Sequence, residues 1–282
     1  MTAMGADVAE LAALAVAVAR EAGEFLRTGS DHALEIATKS SPTDVVTEMD
    51  TAAEQLIRRR IHERRPADDI LGEEGGGGAA SGAGGVRWIV DPIDGTVNYL
   101  YGIPQWAVSI AVEVDGVIVA GVVFDPCKDE LFTAIRGEGA RLGDRPVQVR
   151  ECHELGQALV GTGFGYAASR RARQAEVLTG VLPVVRDIRR LGSAALDLCA
   201  VACGRFDAYF EQGLNLWDFA AAGLIAAEAG ARVAGLRGAP PSNRLVLAAT
   251  PGIFDALQEL LAALGADEVE THDSASPLSY FA

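Results

Sequence analysis

The residues whose types and spacing could do chemistry begin with the run WIVDPIDGT at positions 88–96. Its apolar start predicts a buried strand, and Pro92 favours a tight turn directly after that strand. Asp91 and Asp94 would then lie close together, where two carboxylates repel each other unless a cation, an arginine or a shared proton compensates. The Gly95-Thr96 pair, at the start of a predicted helix, would offer backbone N–H groups to an anion. These features predict a metal-assisted phosphate site, and the alternative is a turn whose aspartates only cap the next helix.

Three further segments place acids or hydroxyls at the ends of predicted elements: Asp44 to Asp50, Glu73-Glu74 and Trp217-Asp218. Mg²⁺ prefers oxygen ligands, usually one or two carboxylates completed by water and substrate phosphate. Taken singly, a loop glutamate is usually solvated and an aspartate beside a helix start is usually a cap. The predicted metal role of these segments therefore depends on their meeting Asp91 and Asp94 in the folded chain.

Two other features carry weaker signals. Glu211 ends a predicted strand, where a carboxylate could accept two hydrogen bonds from a vicinal diol; the alternative is an exposed acid at a turn. The run GTGFGY at residues 161–166 follows a short strand but lacks the G-x-G-x-x-G spacing of a dinucleotide site. Turn and packing roles are therefore expected for this run.

The composition is that of a globular protein, with 282 residues, 49% hydrophobic and 22% charged. The formal net charge of −15 argues against a nucleic-acid surface. No apolar run reaches the roughly 18 residues needed to span a bilayer, and the N-terminal residues do not resemble a secretory signal, so a cytoplasmic location is expected. The cysteines show no C-x-x-C pair, and buried thiols are expected at Cys127, Cys152, Cys199 and Cys203.

Hydrophobic periodicity predicts the elements that must position these residues. The predicted helices cover residues 7–28, 50–65, 170–182, 193–203, 218–229 and 253–263. The predicted strands cover residues 88–90, 107–114, 117–124, 131–135, 158–160, 206–210, 231–233 and 245–248. Asp115-Gly116 is a strong hairpin signal, which indicates an antiparallel sheet in the first half of the chain.

Strands alternate with helices beyond about residue 150, which favours a layered α/β half. We expect an N-terminal half, residues 1–150, with most metal ligands, and a C-terminal half, residues 151–265, that completes the site in one compact unit. Residues 266–282 are expected to form a flexible tail. The glycine-rich segment 75–85 is interpreted as either a lid over the site or a neutral linker.

Four motifs, in this order, resemble the inositol monophosphatase family of magnesium-dependent, lithium-sensitive phosphatases: Gly72-Glu73-Glu74, WIVDPIDGT, Gly192–Ala195 and Trp217–Ala221. The likeness covers roughly residues 8–262 and is greatest to bacterial, particularly actinobacterial, members; the DPIDGT and WD motifs together are highly specific. The resemblance implies an α/β (α+β) fold, a layered α-β-α-β-α sandwich with an antiparallel N-terminal sheet and a mixed C-terminal sheet.

The resemblance also implies a ligand set for two or three Mg²⁺ ions. Glu73, Asp91 and the carbonyl of Ile93 would bind the first ion. Asp91, Asp94 and Asp218 would bind a second ion. Since lithium sensitivity is a property of the family, inhibition by lithium at the second ion's position is expected.

Catalytic and substrate-binding residues are implied in the same way. Asp50 would orient the hydroxyl of Thr96, and Thr96 with Glu73 would position the attacking water. The implied substrate contacts are Gly95, Thr96, Ser193, Ala194, Glu211 and Lys39.

The implied function is a Mg²⁺-dependent phosphomonoesterase that hydrolyses inositol 1-phosphate by direct attack of a metal-activated water. An alternative is a histidinol-phosphate phosphatase, or another sugar or nucleotide phosphatase of the same superfamily, with the same metal site. A different class of protein would be a non-catalytic binding or regulatory protein on this fold, but that predicts a broken carboxylate set, and every matched carboxylate is present. The expected partners are a polyol monophosphate and a second copy of the chain, with no nucleic acid and no membrane.

Overall fold

A computed structural model describes residues 4–29, 36–38, 45–75 and 85–268. Lys39 and Asp44 therefore lie outside the described residues, as do most of the glycine-rich segment 75–85 and the predicted tail from residue 269 onward.

The described helices and strands follow one another along the whole chain. The helices are α1 (Met4–Gly29), α2 (Glu48–Arg64), α3 (Thr96–Leu100), α4 (Ala168–Val181), α5 (Ala194–Ala202), α6 (Leu216–Glu228) and α7 (Pro251–Ala263). The strands are β1 (Ile36–Thr38), β2 (Val45–Thr47), β3 (Asp69–Gly72), β4 (Val86–Asp94), β5 (Ala107–Val114), β6 (Val117–Asp125), β7 (Glu130–Ile135), β8 (Gly139–Leu142), β9 (Arg145–Val147), β10 (Leu159–Thr162), β11 (Asp187–Arg189), β12 (Ala208–Glu211), β13 (Arg232–Ala234) and β14 (Val246–Ala249).

Two large sheets form the framework of the molecule, and β1 pairs separately with β2. The first sheet has the order β3-β4-β5-β6-β7-β8-β9, and the second has the order β11-β10-β12-β14-β13. The second sheet is mixed, as expected, because β10 runs parallel to β11 and β12 whereas β14 runs antiparallel to β12 and β13. The first sheet departs from the expectation of a purely antiparallel sheet, because β3 pairs with β4 in parallel.

The two sheets and the helices alternate in five layers, which confirms the α-β-α-β-α sandwich. Helices α1 and α2 cover one face of the first sheet, and α6 packs on its other face beside α5. The second sheet lies beyond α5 and α6, and α4 and α7 pack together on its outer side. Three apolar clusters fill the spaces between these layers. The layer of α5 and α6 is therefore buried between the sheets, which explains why both helices are apolar around almost their whole circumference.

Local sequence explains the elements that frame the site. In α1, the buried side chains recur every three or four residues, at Leu11, Ala15, Val18, Ala22 and Leu26. At the β5–β6 hairpin, Asp115 and Gly116 adopt φ angles of 53° and 82°, the left-handed pair that a type I′ turn requires.

Several predictions of detail were wrong. The strand expected at residues 88–90 runs from Val86 to Asp94, and the pairing of β4 with β5 shifts register between Asp91 and Asp94. The proline therefore lies in an irregularity within the strand and does not end it. Cys127 is exposed, contrary to the expectation of a buried thiol, whereas Cys152 and Cys199 are buried.

None of the helices in the described ranges combines the length and apolar character that crossing a bilayer requires.

Candidate active site

A cleft of about 500 Å³ lies between the edge of the first sheet and the N-terminal ends of α5 and α6. Residues from both halves of the chain line it. The predicted site residues among them are Glu73, Asp91, Ile93, Asp94, Gly95, Thr96, Ser193, Ala194, Glu211 and Asp218. Folding therefore brings together motifs that are separated by more than a hundred residues. Glu73 and Asp218 line the same cleft as Asp91 and Asp94, which is the condition that their predicted metal role required.

The turn that carries Glu73 is held by a buried acid on α2. The carboxylate of Glu54, 2% exposed, accepts the backbone N–H groups of Glu74 at 2.7 Å and Gly75 at 2.8 Å. Arg58 Nε donates to the same carboxylate at 2.7 Å. A Cβ at Gly72 would lie 2.5 Å from this carboxyl group, so a side chain there would displace the carboxylate from its hydrogen bonds. Sequence reasoning missed Glu54, because its hydrogen bonds are made across a tertiary contact.

Asp91 lies at the centre of a group of acids. It is 1% exposed, and its Oδ1 has no hydrogen-bond partner within the described part of the chain. Burial raises the pKa of this carboxyl well above its usual range, and the charges of Glu73, Asp94, Asp218 and Asp50 raise it further. A carboxylate in such surroundings is stabilised by a nearby cation or by a proton.

Asp50 belongs to this group without being one of the residues that line the cleft. Its side chain is fully buried in the first turn of α2. Its charge contributes to the raised pKa of Asp91 and, after burial, to the pKa of about 12 at Tyr99. Asp50 therefore lies directly behind the cleft wall, close to α3.

Asp94 joins the first sheet to the start of α5. Ser193 Oγ donates to Oδ2 of Asp94, and the N–H groups of Ala194 and Ala195 donate to its two oxygens at 3.2 and 2.7 Å. Burial raises the pKa of Asp94 to about 6, although these hydrogen bonds favour the charged form. Asp94 thus does cap a helix, but it caps α5 and not the helix α3 that follows it in sequence.

The chain after Asp94 turns sharply to begin α3. Gly95 has a φ of 105°, and a Cβ there would lie 3.0 Å from Gln105 O and 3.2 Å from Gly192 O. The Thr96 hydroxyl donates to the carbonyl of Ile93 at 3.1 Å. Glycine at position 95 thus allows the backbone to pass this close to Gln105 and Gly192 beside the cleft.

Asn98 ties this segment to the opposite wall. Its Nδ2 donates to Gln105 O at 2.7 Å and to Leu191 O at 2.8 Å. The loop before α5 is therefore held against α3, so that Ser193 and Gly95 keep a fixed separation.

Asp218 lies in the first turn of α6, where its Oδ2 accepts the N–H of Asn215 at 2.6 Å. Its pKa is raised by burial and by the charges of Glu73 and Asp94. The capping interpretation and membership of the acid group therefore both apply to this residue.

Glu211 also lines the cleft and is not an exposed turn acid. It ends β12, and Tyr209 Oη donates to its Oε2. Burial raises its pKa to about 7. A Cβ at Gly163 would lie 1.9 Å from Glu211 Oε2, so the loop after β10 packs directly on this carboxyl group.

Sequence reasoning missed several residues of this cleft. The run at residues 161–166, expected to have turn and packing roles, does pack, since Gly161 in β10 lies against Phe206. Residues 162–166 of this run also line the cleft. Asp197 on α5 was not singled out, although an acid in a helix of otherwise apolar residues is a usable signal. Four further polar lining residues were missed as well: Arg170, Arg190, Asn215 and Asn243.

The donor set fits a hard divalent cation, because it consists of carboxylate and carbonyl oxygens around the buried Oδ1 of Asp91. As the side chains stand, no group of three or more Asp, Glu, His or Cys residues among those described is arranged to hold a metal ion. The acids nonetheless raise one another's pKa, so they are close without converging on one point. Asp94 and Asp218 are also hydrogen-bonded to backbone N–H groups at helix starts.

Comparison with known proteins gives a consistent result. The inositol-1-monophosphatase SuhB of Mycobacterium tuberculosis (strain ATCC 25618 / H37Rv) is 49% identical over 284 residues, covering 94% of this chain and 96% of that protein. The Nus factor SuhB of Pasteurella multocida (strain Pm70) is 38% identical over 252 residues, with coverage of 88% and 94%.

Solved structures agree in fold. The extragenic suppressor protein suhB of Bartonella henselae has a TM-score of 0.84 and 37% identity, over 89% of this chain and 98% of that chain. SaIMPase-II bound to inositol monophosphate has a TM-score of 0.74 and 29% identity, with coverage of 89% and 92%. The same protein bound to 2′AMP has a TM-score of 0.77 and 29% identity, with coverage of 92% and 96%.

The model of the inositol monophosphatase family matches residues 7–273, a range that spans every segment lining the cleft. With that match and with relatives of up to 49% identity over nearly the whole chain, this protein belongs to the inositol monophosphatase family.

Proposed function

We propose that this protein hydrolyses the phosphate monoester of a small polyol, with inositol 1-phosphate as the first candidate substrate. The observation that carries the proposal is the meeting, in one cleft, of the acid group around Asp91 with Gly95 and Thr96, the residues at the start of α3. Acids suit a cation and N–H groups suit a phosphate, so their juxtaposition fits cation-assisted phosphoryl transfer. The curated name of the M. tuberculosis relative agrees with this substrate class.

Mg²⁺ is the proposed cofactor, in two or three ions. Glu73, Asp91 and the Ile93 carbonyl would hold one ion, and Asp91, Asp94 and Asp218 would hold another. When bound, Mg²⁺ lowers the pKa of water and neutralises charge that develops on the phosphate and on the leaving oxygen. Inhibition by lithium at the second position is part of the same proposal.

The chain's own groups supply positioning. The N–H groups of Gly95 and Thr96 would bind the phosphate, and Thr96 with Glu73 would align a water molecule for in-line attack. Asp50, buried behind the wall, would keep the Thr96 region in place. The water oxygen forms the new bond to phosphorus as the bond from phosphorus to the alcohol oxygen breaks. The attacking water gives up one proton and the departing alkoxide oxygen gains one, so the products are the free alcohol and inorganic phosphate. Such reactions depend mainly on positioning and charge neutralisation.

The alcohol would lie toward Glu211 and the start of α5. Ser193 and Ala194 line this part of the cleft while they also bind Asp94, so they would fix the distance between the phosphate and the alcohol. Lys39 is proposed as a further contact and lies outside the described residues. Histidinol phosphate and nucleotide phosphates are the alternative substrates, and the binding of 2′AMP by SaIMPase-II keeps the nucleotide class in the test.

The test is phosphate release from a substrate panel with and without Mg²⁺. The panel contains inositol 1-phosphate, histidinol phosphate, fructose 1,6-bisphosphate, 2′AMP and 3′-phosphoadenosine 5′-phosphate. We expect Mg²⁺-dependent release that is fastest with inositol 1-phosphate and is lost in Asp91→Asn and Asp94→Asn. Absence of phosphate release from every compound would contradict the proposal. Faster release from another compound would keep the phosphatase activity and replace inositol 1-phosphate as the proposed substrate.

A regulatory role is the second candidate, because the P. multocida relative is named a Nus factor. The net charge of −15 disfavours direct binding of nucleic acid, so a role of this kind would be expected to use a protein partner.

We also propose that the protein forms a homodimer, and sedimentation velocity would measure its oligomeric state. A chain that sediments as a monomer at micromolar concentration would contradict the homodimer without affecting the phosphatase proposal.

A further inference from the structure

The end of the cleft nearest Glu211 contains an acid that the proposed reaction does not use. Asp197 lies on α5 and lines the cleft, yet its side chain is only 1% exposed. Its Oδ1 has no hydrogen-bond partner among the residues that the structure describes. A buried acceptor that lacks a donor costs free energy, so its presence at a ligand cleft points to a donor on the ligand.

The neighbours of Asp197 define which donor fits. Its carboxyl group also accepts the backbone N–H of Leu191, which holds it toward the loop before α5. The charges of Asp94 and Glu211 oppose a negative group here, and Arg190 partly balances them. A second phosphate would be repelled by the two carboxyl groups, whereas a neutral hydroxyl can donate to Oδ1 without adding charge.

We propose that Asp197 is a specificity-determining residue, whose buried Oδ1 accepts a hydrogen bond from a hydroxyl of the alcohol, beside the hydroxyls that Glu211 binds. The proposal rests on the phosphatase function above and deepens it. It identifies the substrate class as monophosphates of neutral alcohols that carry several hydroxyls, and it places bisphosphates outside that class. Leaving the Oδ1 acceptor without its donor would penalise an alcohol that lacks the hydroxyl.

The test compares two phosphate esters of a six-membered ring. Inositol 1-phosphate carries the ring hydroxyls, and cyclohexyl phosphate lacks them all. For Asp197→Ala, we expect kcat/KM for inositol 1-phosphate to fall by about 5-fold to 150-fold, the range for leaving a buried polar group without its hydrogen-bond partner. For cyclohexyl phosphate, we expect a change of less than about threefold, because that substrate makes no such bond.

Controls separate this role from a structural one. Asp207→Asn is the matched variant, because Asp207 is 2% exposed and its Oδ2 accepts Leu159 N–H at 2.8 Å without lining the cleft. Asp207→Asn should lower kcat/KM for the two esters by the same factor or leave both values unchanged. The inhibition constant for inorganic phosphate should stay unchanged in Asp197→Ala, because the proposed phosphate contacts are Gly95 and Thr96 and not Asp197.

Equal loss on the two esters in Asp197→Ala would overturn the proposal and would leave Asp197 as a residue that only positions α5. No loss on either ester would overturn it as well. If Asp197→Ala does not fold, Asp197→Leu decides by the same ratio, since leucine fills a similar space and cannot accept a hydrogen bond. Wild-type protein that hydrolyses neither ester would contradict the proposed function itself, which is a different result from any of these.

Discussion

At the residue scale, the Asp94 carboxylate combines two roles. It accepts the Ser193 hydroxyl and two N–H groups of α5, and it is also a proposed ligand of Mg²⁺. A carboxylate has about four lone-pair positions, so cation binding and capping compete only in part. The pKa of about 6 shows that the hydrogen bonds do not fully offset burial. Asp94 therefore couples the acid group to the substrate-facing wall.

The proposed role of the Thr96 hydroxyl in positioning the attacking water can be tested by substitution. Thr96→Val keeps the shape and removes the hydroxyl that now donates to Ile93 O. We expect kcat to fall by about 100-fold, as for loss of a positioning group, while Mg²⁺ affinity changes by less than about threefold. Steady-state kinetics and calorimetric titration measure the two quantities. Thr96→Ser, which retains the hydroxyl, should keep most of the activity, and equal loss of turnover and affinity in Thr96→Val would argue against a positioning role.

Asp197 gives the metal-free protein a pH dependence. Burial and the charges of Asp94 and Glu211 raise its pKa from the usual 3.8 to about 8, against the opposing effect of Arg190. Between these two values the folded chain holds a proton that the unfolded chain has released, so the free energy of unfolding decreases as pH rises. Asp197→Asn should therefore gain stability relative to wild type from pH 5 to pH 8. Urea unfolding in EDTA measures this, and a constant difference between the two proteins would refute the assigned pKa.

At the element scale, α6 and the first sheet approach very closely. A Cβ at Gly121 in β6 would lie 2.6 Å from Ala221 O in α6, which is backbone and has little room to move. The contact sets the distance between α6 and the first sheet. Because Asp218 lies in α6, the same contact sets the position of Asp218 at the cleft. The register of the layers is thus set by the absence of a side chain at one strand position.

Gly121→Ala should destabilise the protein by about 1–3 kcal/mol, because the new methyl group must displace helix or strand. Gly156→Ala is the control, since a Cβ there would lie 3.9 Å from Val184 O, an ordinary contact. Chemical denaturation measures both variants. Equal stability of the two would show that α6 adjusts freely and that the close contact does not set its position.

At the scale of the whole molecule, the site depends on the meeting of two sheets through the layer of α5 and α6. Buried acids from both halves repel one another there, which works against the packed state unless a cation is present. Folding and cation binding should therefore be coupled. We therefore propose that the N-terminal half, residues 1–150, and the C-terminal half, residues 151–265, fold as one cooperative unit.

Mg²⁺ should raise the melting temperature. At about 100 times its dissociation constant, a bound ion adds about 2.7 kcal/mol to the free energy of unfolding. We expect an increase in Tm of several degrees over an EDTA-treated sample, measured by calorimetry at matched ionic strength with NaCl as control. Asp91→Asn should show a higher Tm than wild type in EDTA and little response to Mg²⁺. A wild-type Tm that is the same in Mg²⁺ and NaCl would rule out the coupling.

The sequence by itself determined the helices, most strands and the acid-bearing motifs, because hydrophobic periodicity and turn chemistry are local properties. Strands β5 and β6 and the hairpin between them follow from residues 107–125 alone. Short strands such as β8 and β9 were missed, since three or four residues carry too little periodicity. A resemblance in motifs, and not periodicity, supplied the five-layer order.

Only the tertiary structure decided how the site is held. The bond between Ser193 and Asp94 spans 99 positions, and the bonds from Glu54 to the turn of Glu73 span 20 or more. The place of Asp197 in the cleft likewise depends on how α5 packs between the sheets. Such contacts depend on the relative placement of layers, which no local pattern encodes. The chain's motifs therefore specified which groups do chemistry, and packing specified which partners hold them.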